Sequence, residues 1–501
     1  MQQYLIISKI PSFKLFLSIL TINVCLAQGV TKNIRYELES GIYLSTSGQN
    51  PFLLRSNQYG IIPLESQFLT LRGATHKEYD STKNEQNKQK RFSYGYGIST
   101  VINVGKANQI ILPEAYLKGR YGVFEFYGGR RKEVVGLVDT TLTSGSYIWS
   151  GNALPLPKLQ ISIPNYVSIL GKGLISIKGA YAHGWFGSSD STKNFFLHQK
   201  SLYGRIGKPN WRVKMYAGFN HQVQWGGKPH KPYIEKETGK LITNYGNDFN
   251  TYLYVISGVS LNRKGDGISK DGIPINDAWN RSGNHLGSVD IATEMCFNKF
   301  DLFLYRQSFY EDGSLFYLGN ITDGLLGLSY KRKNTNAGLI KFTFEFINTK
   351  SQGGPGGSGS TIPQIRGGDN YFNNGFYQWI YKGNTIGTPF IIPLRNIQQE
   401  VFTPNYASIS KSIPSTYMVV NRLSGFFLGA YYRMKEISFL TKFSNTNNHV
   451  YGVDKKFNQT SILQSAQFSY KKNIVSSQIS YNSDALFKSN LGIGLQLMRT
   501  F

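Results

Sequence analysis

The chain reads as an all-β protein, a large antiparallel transmembrane β-barrel of about 16–18 strands with a few short helices at one end. Three observations predict it: a C-terminal strand with one apolar face and a terminal aromatic, many similar runs upstream, and an N-terminal export signal with no membrane-spanning helix after it. In the last run Leu491, Ile493, Leu495, Leu497 and Phe501 fall on one side of a period-two pattern, broken by Arg499. Gly492, Gly494, Gln496 and Thr500 fall on the other, with Met498 the one apolar residue there. Period two means a strand whose faces differ. In a barrel this strand closes the wall, its apolar face meets lipid, and Phe501 enters the interfacial aromatic girdle. It is also the segment by which outer-membrane insertion machinery would take up the chain.

The N-terminus fits export. Lys9 and Lys14 supply a basic region, Leu15 to Leu26 a short apolar one, and Cys25 and Ala27 are small residues suited to cleavage after Ala27. The expected division is therefore a signal peptide over 1–27 and a single barrel domain over 28–501. Val24 is too bulky for a lipid-modification box at Cys25. The apolar stretch is too short to span a bilayer, and none of about 18 residues follows. The expected location is the outer membrane and cell surface. Cys296 is the one cysteine left after cleavage, so no internal disulfide is expected.

Alternation recurs along the chain. From Trp211 to Gly226 one face carries Val213, Met215, Ala217, Phe219, His221, Val223 and Trp225, and the other Lys214, Tyr216, Asn220, Gln222 and Gln224. The two tryptophans resemble girdle positions. Phe426–Met434 and Ile437–Phe443 predict a hairpin turning near Lys435-Glu436, and Ala115–Tyr121 with Phe124–Gly128 another turning at Gly122. Two long insertions, at about 227–283 and 350–415, lack the pattern. In the first, Phe249, Tyr252, Leu253 and Ile256 stand at helical spacing behind Asn247 or Asp248 as N-cap, predicting a short amphipathic helix over a barrel end. In the second, the glycine-rich stretch from Gly353 to Ser360 reads as a flexible linker.

Composition suits a barrel. Tyr (33), Phe (32) and Trp (6) make up 14% of the chain while mean hydropathy is negative, as expected where only every second residue of a membrane band need be apolar. The formal net charge of +26, two lysines of which belong to the signal, points to anionic partners. Nucleic acid is excluded for a secreted, strand-rich chain without a basic helix or RNA-binding aromatic motif. That leaves anionic capsular polysaccharide or exopolysaccharide, and the lipids and lipopolysaccharide of the outer membrane. None of the seven histidines stands at metal-ligand spacing and there is no Gly-x-Ser-x-Gly elbow, so no catalytic residue, metal or cofactor is assigned. On one strand Glu114, Tyr116, Lys118 and Arg120 oppose Ala115 and Leu117 and should face the lumen. Arg306 shares the parity of Leu302 and Leu304, marking a strand end rather than a lumen position.

Six segments taken in order resemble a known family. They are Asn50–Gly60 (NPFLLRSNQYG), Leu112–Gly119 (LPEAYLKG), Gly128–Glu133 (GGRRKE), Gly218–Gly226 (GFNHQVQWG), Asn284–Asp290 (NHLGSVD) and Tyr305–Gly313 (YRQSFYEDG). Together they are similar to the capsule assembly protein Wzi family, in its Bacteroidetes-type version. The resemblance implies a barrel of about eighteen strands with small helices at its periplasmic end. It also implies a lectin-like, non-enzymatic role in attaching exported polysaccharide to the cell surface. Its matching positions, Glu114, Arg130, Arg131, His221, Trp225, His285, Arg306 and Glu311, are candidates for glycan binding or architecture. The competing expectation is a porin-like passive channel for anionic solutes; an outer-membrane hydrolase is a third. A channel needs an open lumen, whereas the two long insertions favour a plugged one.

Overall fold

The structure is a computed structural model and describes residues 34–79, 92–189, 191–259, 274, 281–311, 314–354, 368–484 and 486–501. The expected signal peptide, and the linker from residue 355 on, lie outside the described residues. Eighteen strands form one antiparallel sheet that closes on itself. In chain order they are β1 Ile34–Ser45, β2 Phe68–Lys77, β3 Phe92–Gly105, β4 Gln109–Tyr121, β5 Phe124–Arg130 and β6 Lys158–Leu170. Next come β7 Ile175–Gly187, β8 Phe195–Ile206, β9 Val213–Trp225, β10 Asn284–Cys296, β11 Phe300–Tyr310 and β12 Gly324–Arg332. The last six are β13 Gly338–Asn348, β14 Arg422–Met434, β15 Ile437–His449, β16 Lys456–Tyr470, β17 Asn473–Asp484 and β18 Asn490–Thr500. Each pairs with its sequence neighbours, and β1 pairs with β18, Glu37 opposite Thr500 and Ser45 opposite Gly492.

The alternation of β18 sorts as expected. Leu491, Ile493, Leu495 and Leu497 remain 40–52% exposed on the outer face, where lipid covers them. Its inner face is glycine for a steric reason: a Cβ on Gly492 would lie 2.5 Å from the Pro51 ring, and one on Gly494 2.8 Å from Tyr43. Both predicted hairpins form, the first turning at Gly122 (φ 57°), the second at Lys435 (φ 53°).

The barrel ends differ. Two-residue turns join β4 to β5, β14 to β15 and β16 to β17 at the end where β1 begins and β18 finishes. The long connections 46–67, 131–157, 226–283 and 349–421 emerge at the other end. Short turns belong to the periplasmic side of outer-membrane barrels and long loops to the extracellular side. The described helices α1 Phe52–Arg55, α2 Phe249–Ser257 and α3 Tyr406–Ser412 all lie in those long connections, which corrects the expected periplasmic placement.

Helix α2 forms where its spacing predicts. The Asp248 carboxylate accepts from Thr251 N at 2.8 Å as N-cap, and Gly258 ends the helix with φ 63°. Its location differs from the expectation. It packs on the outer wall near the extracellular rim, because residues of odd number on β9 face outward. Val255 is buried against Val223 and Trp225, and Tyr252 stacks on Trp225 with ring centroids 5.1 Å apart. Trp225 is thus a helix-packing residue, while Trp211 remains exposed as a girdle position would be.

Leu495 lies near the middle of a lipid-facing strand. Leu495→Arg is expected to destabilise the folded barrel by about 2–4 kcal/mol. Gln496→Lys, on the lumen face, should cost far less. Denaturant titration of the folded, mobility-shifted species on gels compares the two.

Candidate functional site in the barrel lumen

The connection 131–157 leaves β5 at the extracellular rim and folds back into the barrel. A buried loop must find partners for its backbone, and here the wall supplies them. The Asp290 carboxylate accepts from Leu137 N at 2.8 Å, and also from Tyr203 Oη (3.1 Å) and Gln307 Nε2 (3.1 Å). The Glu345 carboxylate accepts from Ser144 N at 2.6 Å, Thr143 Oγ1 at 2.7 Å and Tyr305 Oη at 2.5 Å. Gln307 Oε1 accepts from Tyr147 N at 3.0 Å, and Gln222 donates to the Ile148 carbonyl at 3.1 Å. These wall residues come from β9, β10, β11 and β13, so the loop is tied to a wide arc of the barrel.

A second layer lies on the first. Thr388 N donates to the Tyr147 carbonyl at 2.9 Å, and Ser150 Oγ to the Gly387 carbonyl at 2.6 Å. Tyr147 stacks on Phe309 with centroids 3.5 Å apart and meets Phe372 edge-on at 5.1 Å. Loops therefore occupy part of the lumen. Part of this filling comes from the expected second insertion, but its deeper part comes from 131–157, which the sequence reading left unassigned.

Two groups of ion pairs hold this loop. On the β4–β6 side, Glu133 meets Arg131 at 2.7 Å and Lys158 at 2.8 Å, and accepts from Tyr127 Oη at 2.8 Å. Burial alone would raise the Glu133 pKa, but Lys158 and Arg131 outweigh it and bring it to about 2. At the loop tip, Asp139 pairs with Lys341 at 2.6 Å and accepts from Ser329 Oγ and Leu142 N. Burial again opposes ionisation there, and the hydrogen bonds from Lys341 and Ser329 hold the carboxyl below its usual range.

Beneath the loop tip, toward the periplasmic end, a cavity of about 370 Å³ opens between Gly136–Thr140 and the wall. Lys178, Lys331, Lys341, Tyr166, Tyr216 and Glu294 line it among others. Lys341 is engaged by Asp139, and Glu294 by Lys214 at 3.1 Å. Lys178 and Lys331 make no ion pair among the described residues; the Lys178 ammonium stands 5.2 Å from the Tyr166 and Tyr203 rings. Arg205 lies over the other part of this surface, 5.4 Å from the Tyr166 ring and bonded to Ser176 Oγ at 3.1 Å.

The eight residues singled out from sequence fall in different places. Glu114 faces the lumen as expected, 3.3 Å from His76 and 3.2 Å from Lys132. Arg131 joins Glu125 at 2.6 Å as well as Glu133, and Arg130 donates to Tyr381 Oη at 2.9 Å. His221, Trp225 and His285 lie on the outer wall near α2, with His221 Nε2 2.9 Å from His285 Nδ1. Arg306 also faces outward, as its parity indicates, and donates to the Ile321 carbonyl. Glu311 accepts from Phe372 N at 2.6 Å inside the loop stack. Asp290, Gln307 and Glu345 went unnoticed. Their one signal was an acid or amide on the inward parity of a strand, a property they share with Glu294 and Asp301 on two of those faces. Among the described residues no group of His, Cys, Asp and Glu could hold a metal.

No family model matches the chain, and no curated protein matches it. Similar solved structures include OccAB4 of Acinetobacter baumannii (9% identity, 95% of this chain and 99% of that one, TM-score 0.44). OprD of Pseudomonas aeruginosa shares 7% identity over 94% of each chain, with a TM-score of 0.42. A porin of Rh. blastica shares 9% over 93% and 99%, with a TM-score of 0.35. The resemblance to the capsule assembly family is withdrawn, because no family model matches the chain. Polysaccharide attachment, the lectin-like role and the polysaccharide partner are withdrawn with it. The six segments are short, and much of their composition is what alternating barrel strands require.

Glu345→Ala strands Ser144 N inside the lumen, a loss of about 1–3 kcal/mol. Residues 131–157 should then become protease-sensitive while the barrel stays folded; unchanged cleavage would contradict the anchoring role. Acid has a related effect. Because the Glu133 pKa falls from 4.5 to about 2 on folding, its contribution is complete above pH 4.5 and disappears as pH drops through about 2. Trp149 fluorescence, followed from pH 7 to 2, should keep its native emission until the lowest part of that range.

Proposed function

We propose that this outer-membrane barrel is a narrow, passive channel for small anionic solutes. The observation that carries the reading is the pair of lysines facing the cavity under the folded-in loop, Lys178 and Lys331, which make no ion pair among the described residues. An anion entering there meets both ammonium groups, and that of Lys178 stands among the Tyr166 and Tyr203 rings, where a charge acts more strongly than in water. Tyr166 and Tyr216 give the same wall apolar surface and hydroxyl groups. The loop is continuous with the wall rather than a separate plug domain, so it narrows the lumen. The lattice around Glu133 supports its base, and Asp139 fixes its tip.

Planar-bilayer recording of the purified barrel should give small conductance steps and a reversal potential on the chloride side of zero in a potassium chloride gradient. Lys178→Glu with Lys331→Glu should move that potential toward cation preference. Removing the loop tip, residues 138–146, should enlarge the steps severalfold. A silent wild-type barrel that stays silent without the tip, or a cation-preferring wild type, would overturn the reading.

A further inference from the structure

The outer wall carries a groove of about 430 Å³ on β8 to β12, within the size range of small-molecule sites (about 300–1,000 Å³). It exists because two small residues, Gly204 and Ala217, pair directly across β8 and β9 on a face otherwise built of large apolar side chains. A Cβ added at Gly204 would meet only the Ala217 carbonyl, at 3.8 Å, so the space is open. Met215, Ile291 and Leu304 form its sides.

One charged residue breaks this apolar surface. Arg306 stands in the same cross-strand row, opposite Ile291, toward the extracellular end of the groove. Its Nε donates to Ser308 Oγ at 3.2 Å, and its Nη2 to the carbonyls of Ile321 and Asp323 in the extracellular loop above. All these acceptors are neutral, Nη1 takes no part in these bonds, and among the described residues Arg306 makes no ion pair. A lipid-facing arginine is costly at the bilayer midplane and far less so near the interface, where its guanidinium can reach polar groups.

We propose that this groove binds a phosphorylated glycolipid of the outer leaflet, one acyl chain lying over Gly204 and Ala217 and a phosphate on the Arg306 guanidinium. The groove is continuous with the lipid-facing wall, and its single charge is placed where the head groups of that leaflet begin. Arginine pairs with phosphate through charge-assisted hydrogen bonds. The site is separate from the lumen and does not depend on the channel reading.

The test uses the full folded barrel, delipidated in mild detergent and titrated with diphosphoryl lipid A, with retained lipid counted by native mass spectrometry. Wild type should hold one lipid A that excess phosphatidylglycerol does not displace. Ala217→Trp, which fills the groove, should abolish retention, and Arg306→Gln should weaken it on the order of tenfold. Ala466→Trp, on the outer face of β16, should leave it unchanged. Equal retention in wild type and Ala217→Trp, or displacement by phosphatidylglycerol, would overturn the proposal. Gel mobility of the folded form checks each variant, and Arg306→Gln decides the matter should Ala217→Trp fail to fold.

Discussion

Closure of β18 on β1 is the constraint from which the rest follows. In a hydrocarbon layer an open sheet edge leaves backbone groups without partners, so the wall must join its own beginning. Eighteen strands make a circumference too wide for wall side chains to fill. The interior therefore has to be water-filled, loop-filled or both. In this chain the long extracellular connections occupy much of it, and the space left lies toward the periplasmic end.

A loop inside a barrel carries its backbone polarity with it, and the wall answers with side chains rather than with another strand. Asp290, Gln307 and Glu345 hold the amides of Leu137, Tyr147 and Ser144 in one irregular segment, a task for which a carboxylate or amide oxygen is well suited. A flat ladder would have imposed a strand on that segment. Point anchors let it keep the turns that place Asp139 deep in the lumen and leave a pocket below. The ion pairs at its base do a different job: they keep the buried Glu133 carboxylate charged beside Arg131 and Lys158, and so keep the lumen a field of charges rather than an apolar core.

The outer wall shows the opposite economy. Where outward positions are large and apolar, lipid covers them. Where β9 and β10 turn to His221 and His285 near the rim, a helix from the extracellular insertion lies over this part of the wall, with Val255 and Tyr252 packed on Val223 and Trp225. The histidines gathered there are neither lumen residues nor a metal site among the described residues. Their shared surroundings result from alternation on neighbouring strands together with the reach of a long loop.

Period-two patterning determined the barrel, the two hairpins and the inward or outward side of most strand residues, because a strand's side-chain direction depends only on local parity. Even Arg306 could be placed outward by that rule. Helix α2 was legible from its spacing and its Asp248 cap, which are likewise local. Short matching segments were a poor guide to family, since alternation and turn chemistry bring the same residues together in unrelated barrels. Where a connection of many residues goes after it leaves a strand is not a local property. Only the tertiary structure decided that 131–157 enters the lumen, that α2 lies outside the wall, and that Lys178 and Lys331 make no ion pair among the described residues. Those outcomes rest on hydrogen bonds and charges supplied by strands far apart in sequence.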